Sequence, residues 1–408
     1  RQSGIRRLIE FLTAHRLPPE LAVRLYRVYG ELAQDALRDD PYLLTDPYFH
    51  ADFSLVDAFA LELDVAADDE RRVEAGILFE LSYNLSNGHT FIPQPKLCAA
   101  TAALLNLETE LIEEGITRLT EQERLVVDSI AGLQACYLPE FYEAETYITA
   151  RLLQMAEKEL PAPKNLDALV SQIEAEQGIS YARLQREAIR KAATQQLLIV
   201  TGGPGTGKTT CIQCVLRMFK GKVELCAPTG RAAKRITEAT GRDARTIHRM
   251  LEYSGEEGKF QRNEEKPLAC DAVIVDEVSM VDLFLMRSLL RAIAPGTRLV
   301  FVGDADQLPS VGAGNVLGDM IASGVLPVRQ LTTIYRQAQE SMIVMNAHRI
   351  NRGEMPVLRA KDTNFFFERK ENGKDAASSA IALVKTRLPG FAGLDSLRDI
   401  QVMAPMKK

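Results

Sequence analysis

Gly202-Gly203-Pro204-Gly205-Thr206-Gly207-Lys208-Thr209-Thr210 has residue types and spacing suited to cradling phosphate. It satisfies GxxxxGK[ST] between an apolar run and a helical pattern, the context that gives the motif meaning. Glycines let backbone N–H groups close around phosphate oxygens, and a helix N-terminus adds favourable partial charge. Lys208 is placed to reach the β and γ phosphates of a nucleoside triphosphate, and the Thr209 hydroxyl to bind Mg²⁺. Gly203, Pro204, Gly205, Thr206, Gly207 and Thr210 complete the expected cradle, so a nucleoside triphosphate with Mg²⁺ is the expected ligand.

Two polar groups follow other apolar runs. Ala272-Val273-Ile274-Val275 ends in Asp276-Glu277. One carboxylate there can hold the metal and the other polarise an attacking water, and Asp276 and Glu277 fit those roles in that order. Leu299-Val300-Phe301-Val302 leads into Gly303-Asp304-Ala305-Asp306-Gln307-Leu308-Pro309. The uncharged amide of Gln307 suits a sensor of the γ-phosphate or the attacking water; the plainer alternative is an amide that satisfies a turn.

These residues need a scaffold that brings strand ends together. Leu197–Val200, Val223–Cys226, Ala272–Val275 and Leu299–Val302 each read as a buried strand followed by a loop and a helix, the pattern of a parallel sheet covered on both faces. Ligands bind such sheets beyond the carboxyl ends of the strands, where the motifs lie. Upstream, Ile5, Leu8, Ile9 and Leu12, then Leu21, Leu25 and Val28, recur at helical spacing. The intervening Leu17-Pro18-Pro19-Glu20 suits a helix-hairpin-helix that holds DNA backbone, or packing alone, since the usual glycines are missing. Further helices are expected over 53–63, 71–87, 97–134 and 141–159. Pro161-Ala162-Pro163-Lys164 marks a boundary. The expected division is a helical domain over 1–160, a nucleotide-binding domain over 165–355 with a small hairpin near 252–268, and the start of another domain over 356–408.

Composition supports a globular chain: of 408 residues, 46% are hydrophobic and 25% charged, which excludes collagen, coiled coil and wholesale disorder. No window has the uncharged length of a membrane span. The start, Arg1-Gln2-Ser3-Gly4, has neither an initiator Met nor an apolar signal core, so the chain reads as soluble, cytoplasmic and excised from a longer protein. Six cysteines are too sparse for a disulfide framework. Cys211-x-x-Cys214 lies on the helix after the phosphate loop and reads as core packing rather than as metal or redox chemistry. Net charge is −6, unevenly spread. Residues 1–190 carry 18 basic and 32 acidic groups, and 191–250 carry 11 and 3, a stretch able to attract phosphate.

The ordered set GGPGTGKTT (202–210), APTGRAAKRI (227–236), TIHRML (246–251), VIVDEVSMVD (273–282), FVGDADQLPSVGAGNVL (301–317) and LTTIYRQ (331–337) resembles the RecD-like branch of superfamily 1 DNA helicases. Gly88-His89-Thr90 and Pro41-Tyr42-Leu43-Leu44 extend the resemblance into the helical region. It implies a RecA-like P-loop domain behind an all-helical N-terminal domain with helix-hairpin-helix-like elements, and ATP-driven 5′-to-3′ translocation on single-stranded DNA with unwinding of duplex ends. By the same resemblance Gln185 reads adenine, Tyr335 stacks on the base and Arg336 contacts the γ-phosphate. Thr229 matches a strand-contacting position, with Arg231 and His248 as further DNA contacts; the alternatives are a surface arginine and a core histidine. Gly255-Glu256-Glu257-Gly258 resembles the tip of a strand-splitting hairpin. Gln401–Met406 looks like the first strand of a second RecA-like domain whose later motifs, including a second arginine, lie beyond Lys408. The chain as given is therefore expected to bind ATP·Mg²⁺ but to hydrolyse it slowly and not unwind DNA. Nuclease or repair complex subunits are the expected partners, with no membrane. Two competing readings are a nucleotide-switched DNA-binding or assembly subunit and an ATPase unrelated to nucleic acid.

Overall fold

The structure is a computed structural model that describes residues 2–85, 87–359 and 363–404. Arg1–Thr333 form one compact unit and Ile334–Lys408 a second.

The first unit begins with α1 (Gln2–Ala14) and α2 (Leu21–Tyr29), whose apolar stripes bury Leu8, Leu12, Leu21 and Leu25. Between them the Leu17 N–H donates to Leu12 O at 2.9 Å and the Leu21 N–H to Pro18 O at 3.2 Å, a tight turn that starts α2 directly after the prolines. Then come α3 (Ala33–Asp39), α4 (Phe53–Glu62), α5 (Glu70–Leu85), α6 (Gln94–Leu105), α7 (Thr109–Glu121) and α8 (Pro139–Ala156). The Asp52 carboxylate caps α4 by accepting the Ser54 N–H at 2.8 Å.

The expectation of helix throughout 97–134 is corrected. A small antiparallel sheet, order β1-β3-β2, is built from β1 (Ile92–Pro93), β2 (Val126–Ile130) and β3 (Leu133–Tyr137). β2 and β3 join through Ala131 (φ 50°) and Gly132 (φ 81°). Two successive positive φ values make a two-residue turn whose twist matches the strands. An alanine in the first position gives no hint of that conformation.

Next are α9 (Leu166–Gln177), α10 (Arg183–Thr194), β4 (Leu197–Thr201), α11 (Lys208–Met218), β5 (Val223–Ala227), α12 (Gly230–Thr240), β6 (Ala244–Thr246) and α13 (Ile247–Met250). The antiparallel pair β7 (Tyr253–Ser254) and β8 (Lys259–Phe260) forms the expected hairpin. Then follow β9 (Ala272–Val275), α14 (Leu283–Arg291), β10 (Arg298–Gly303), α15 (Val316–Ala322) and β11 (Val328–Gln330). The main sheet has the order β11-β4-β10-β9-β5-β6 with every pairing parallel. All residues of β4 and β9 are buried, as unbroken apolar runs in a doubly covered sheet require. The edge strands β6 and β11, three residues each, are too short to show as apolar runs.

Alternation along the strands divides the core. Leu198, Val200, Ile274 and Val300 pack with Ile189 and Val215 of α10 and α11. Leu197, Ile199, Val273 and Phe301 face the other way and share one continuous core with the N-terminal helices. At that seam Phe141 of α8 meets Phe284 of α14 edge-on, ring centroids 4.8 Å apart. The Arg151 guanidinium donates to Ile293 O at 2.9 Å, and the Gly314 N–H to Gly88 O at 3.0 Å.

The second unit contains α16 (Arg336–Gln339), α17 (Met342–Asn351), α18 (Gly373–Ala382) and α19 (Leu388–Ala392). The buried Asn346 side chain bonds both backbone polar groups of Val357, at 2.7 and 2.9 Å. Of the expected strand at 401–406, residues 401–404 have no regular secondary structure; Pro405 and Met406 lie outside the described residues. Among the described residues no helix is long and apolar enough to cross a membrane.

Phe141→Ala removes one ring of the seam. It should cost about 3 kcal/mol of unfolding free energy, read by urea titration, with nucleotide affinity unchanged. Equal stability of variant and parent would show that the seam is not a stabilising contact.

Candidate nucleotide site

β4 ends at Thr201 and α11 starts at Lys208, and the loop between them is held by backbone geometry. Gly205 (φ 75°) and Gly207 (φ 80°) take left-handed conformations. A Cβ on Gly202 would lie 2.7 Å from both Leu331 O and Thr206 Oγ1, so only hydrogen fits there. The buried Thr206 hydroxyl donates to Gly203 O at 2.8 Å. Lys208 Nζ donates to Gly203 O at 3.0 Å and also to Gly202 O. Burial pushes the Lys208 pKa down, and the negative charges of Asp304, Glu277 and Asp276 pull it back up. Gln185 is buried on α10; its Oε1 accepts the Ala182 N–H at 3.0 Å and its Nε2 donates to Gly207 O at 3.2 Å. It therefore braces the last glycine of the loop.

Asp276 follows β9 and is only 4% exposed; its N–H donates to Cys226 O at 2.9 Å, extending the pairing with β5. Burial is the main cause that raises its carboxyl pKa and the charge of Glu277 the next; Arg235 and Lys208 act in the opposite direction. Glu277 has φ 54° and leads into a short 3₁₀ turn, Val278–Met280, with the Met280 N–H bonded to Glu277 O at 3.1 Å. Its Oε1 accepts from Arg235 Nη2 of α12 at 2.5 Å. Asp304 is buried at the end of β10, where its carboxylate accepts the Asp306 N–H at 3.1 Å and its carbonyl the Gln307 N–H at 3.2 Å.

The strand ends thus gather Lys208, Asp276 and Glu277, and add Asp304 and Arg235. Both additions lie inside motifs that were legible, GDADQ and GRAAKRI. The signal for Arg235 was the run of cations at 231, 234 and 235, one face of a helix. Gln307 is exposed on the loop after Asp304. Thr229 caps α12, its hydroxyl oxygen accepting the Ala232 N–H at 3.2 Å, and exposed Arg231 lies in the first turn of that helix. His248 on α13 is exposed and packs against Tyr253 and Phe260 at the base of the hairpin, ring centroids 5.7 and 5.5 Å away. Tyr335 and Arg336 fall in the second unit, and the Arg336 side chain lies outside those described.

Thr209 and Asp276 offer a hydroxyl and a carboxylate, the hard oxygen ligands that suit Mg²⁺ when phosphate oxygens and waters supply the rest. Among the described residues no group of three or more His, Cys, Asp or Glu is arranged to hold a metal by itself. Cys211 and Cys214 are buried thiols on α11, and burial pushes Cys211 up to about 12, which suits packing.

A glycine-cornered loop between a buried parallel strand and a helix, faced by carboxylates from neighbouring strands, defines a P-loop nucleotide-binding domain. Residues 185–313 match the family described as an AAA domain, and residues 1–91 match the ATP-dependent RecD2 DNA helicase HHH domain. The chain is 34% identical over 423 residues to the ATP-dependent RecD2 DNA helicase of Deinococcus radiodurans, covering all of this chain and 56% of that protein. It is 39% identical over 180 residues to the RecBCD enzyme subunit RecD of Mycolicibacterium smegmatis, covering 37% of this chain and 32% of the other. The Pif1 helicase structure from Candida albicans overlaps 45% of this chain and 50% of its own, at 22% identity and a TM-score of 0.33. Along its whole length the chain is similar to the ATP-dependent RecD2 DNA helicase, and its N-terminal 91 residues match the HHH domain of that family. It spans about half the length of the RecD2 helicase it matches.

Because burial raises the Asp276 pKa, its ionised form costs stability at neutral pH, a cost that appears as pH rises through the carboxylate range. Asp276→Asn should raise the thermal midpoint of the metal-free protein at pH 7.5 by about 1–3 °C, with the gain vanishing at acid pH, and should abolish the further stabilisation given by Mg²⁺ with nucleotide. A lower midpoint at pH 7.5 would refute this account of the buried charge.

Proposed function

We propose that this chain is the nucleotide-hydrolysing part of an ATP-dependent DNA helicase that moves 5′ to 3′ on single-stranded DNA and opens duplex ends. The observation that carries the reading is the convergence of Lys208, Asp276, Glu277 and Asp304 beyond the carboxyl ends of β4, β9 and β10. Four charges placed together in a partly buried setting are arranged for a ligand with a dense charge of its own. Similarity to the RecD2 helicase along the whole chain supports DNA as the track.

In this reading the loop N–H groups and Lys208 hold the β and γ phosphates, and Thr209 and Asp276 hold Mg²⁺. When bound, Mg²⁺ supplies positive charge between the phosphate oxygens. Glu277 takes a proton from the attacking water as that oxygen bonds to the γ-phosphorus and the β–γ bridge breaks, its electrons leaving with ADP. Gln307 senses the γ-phosphate; for Tyr335 and Arg336 the roles at base and γ-phosphate rest on the family resemblance alone. Gln185 reads adenine by exchanging one of its present bonds, while the other keeps the loop braced. Thr229 accepts the cap bond through its oxygen, which leaves the hydroxyl proton available for a DNA phosphate. Arg231 adds charge beside it, and the hairpin tip at 255–258 acts as a wedge. A role inside a nuclease complex rests on similarity to RecD subunits over about a third of the chain, less than the RecD2 match.

The test compares ATPase rates, with and without single-stranded DNA, of the intact protein that carries this chain and of its Lys208→Ala variant. The substitution should lower the stimulated rate by about 100-fold or more; persistence of that rate would move the active site elsewhere. Replacing Gly255–Gly258 by a two-residue turn should keep stimulated ATPase and reduce strand separation in a forked-duplex assay. Undiminished unwinding would remove the hairpin from the mechanism.

A further inference from the structure

The contact between Arg235 and Glu277 joins the exposed face of α12 to the site. Its two halves are unequally held. The Glu277 side chain is 14% exposed, and its backbone is fixed at φ 54° by the turn it begins. A non-glycine residue stays in that conformation only where its surroundings over-determine it, so the backbone that carries the carboxylate is set by the turn rather than by Arg235. The Arg235 side chain is 66% exposed and hangs from α12 on a flexible stem. It shares one exposed face of that helix with Arg231 and Lys234, while Ala233 and Ile236 turn inward.

A guanidinium resting on a carboxylate oxygen occupies a lone pair that would receive a water proton and stands where that water must approach. A phosphate chain laid along the α12 face competes for the same guanidinium, whose fork suits phosphate as well as carboxylate. We propose that Arg235 is a latch on Glu277. Resting on the carboxylate it restrains hydrolysis, and single-stranded DNA phosphates on the α12 face draw it off. Arg235 is thus a positioning residue that links the track to the rate. This rests on Glu277 being the water-polarising group of the proposed reaction.

The experiment uses the intact protein that carries this chain, with an oligothymidine strand as the probe, and compares Arg235→Ala, Arg235→Gln and Arg235→Lys. Both neutral variants should raise the DNA-free kcat about fivefold, the scale of one partly exposed ion pair, with KM for ATP unchanged. The stimulation factor should shrink by the same amount, and Arg235→Lys should restore restraint. A residue that only stabilises the fold would instead lower the rates with and without DNA together and reduce the thermal midpoint. An unchanged or lower DNA-free kcat in a folded neutral variant, or unfolding of both neutral variants, overturns the latch. If Lys208→Ala retains stimulated turnover, the site assignment itself fails. If that variant is dead and the Arg235 variants behave as the parent, the latch alone is wrong.

Discussion

Burial of unlike charges at one edge of a parallel sheet is the constraint on which the rest of this protein depends. Asp276 and Asp304 are almost withdrawn from water, and Lys208 is partly withdrawn; burial raises the Asp276 carboxyl pKa and lowers that of the Lys208 ammonium. Such an arrangement is tolerable only if the scaffold is rigid and the charges lean on one another. The scaffold supplies rigidity through in-register pairing of β4, β10, β9 and β5, which fixes where each motif leaves the sheet. The loop supplies the remainder, with the carbonyls of Gly202 and Gly203 accepting hydrogen bonds from the Lys208 ammonium. A polyphosphate with a divalent cation brings both missing signs of charge to the same place, which is why the chemistry of the site points to nucleotide.

The same sheet explains why the helical region cannot be treated as an independent appendage. Alternation along β4, β9 and β10 sends half of the apolar side chains toward α10 and α11 and half into the core shared with the N-terminal helices. The first unit therefore holds the helical region and the parallel sheet on one hydrophobic foundation.

The centre of the fold was legible because its strands are unbroken apolar runs and its loops carry residues that only a few conformations accept. The phosphate loop and the Asp276-Glu277 pair were readable for the same reason, since backbone strain and charge restrict what can stand there. What stayed hidden had no local signal. β6 and β11 are too short to form a pattern. The hairpin of β2 and β3 turns at Ala131, whose identity does not announce a left-handed backbone. His248 was read as a DNA contact or a core group, and its place against Tyr253 and Phe260 depends on a hairpin that exists only after folding. Arg235 lay in plain view within a recognised motif, yet its partner is 42 residues away in sequence and adjacent only through the packing of α12 beside β9.

One hydrogen bond at the seam has a mechanical meaning. The segment that carries Gln307 leaves the sheet at Asp304 and is moored at its far end where the Gly314 N–H meets Gly88 O. Thr90 lies beside that mooring, 3.6 Å from where a Cβ on Gly314 would stand. Backbone thus ties the segment that carries Gln307 directly to the chain just after α5, so the two cannot be displaced independently without breaking this bond.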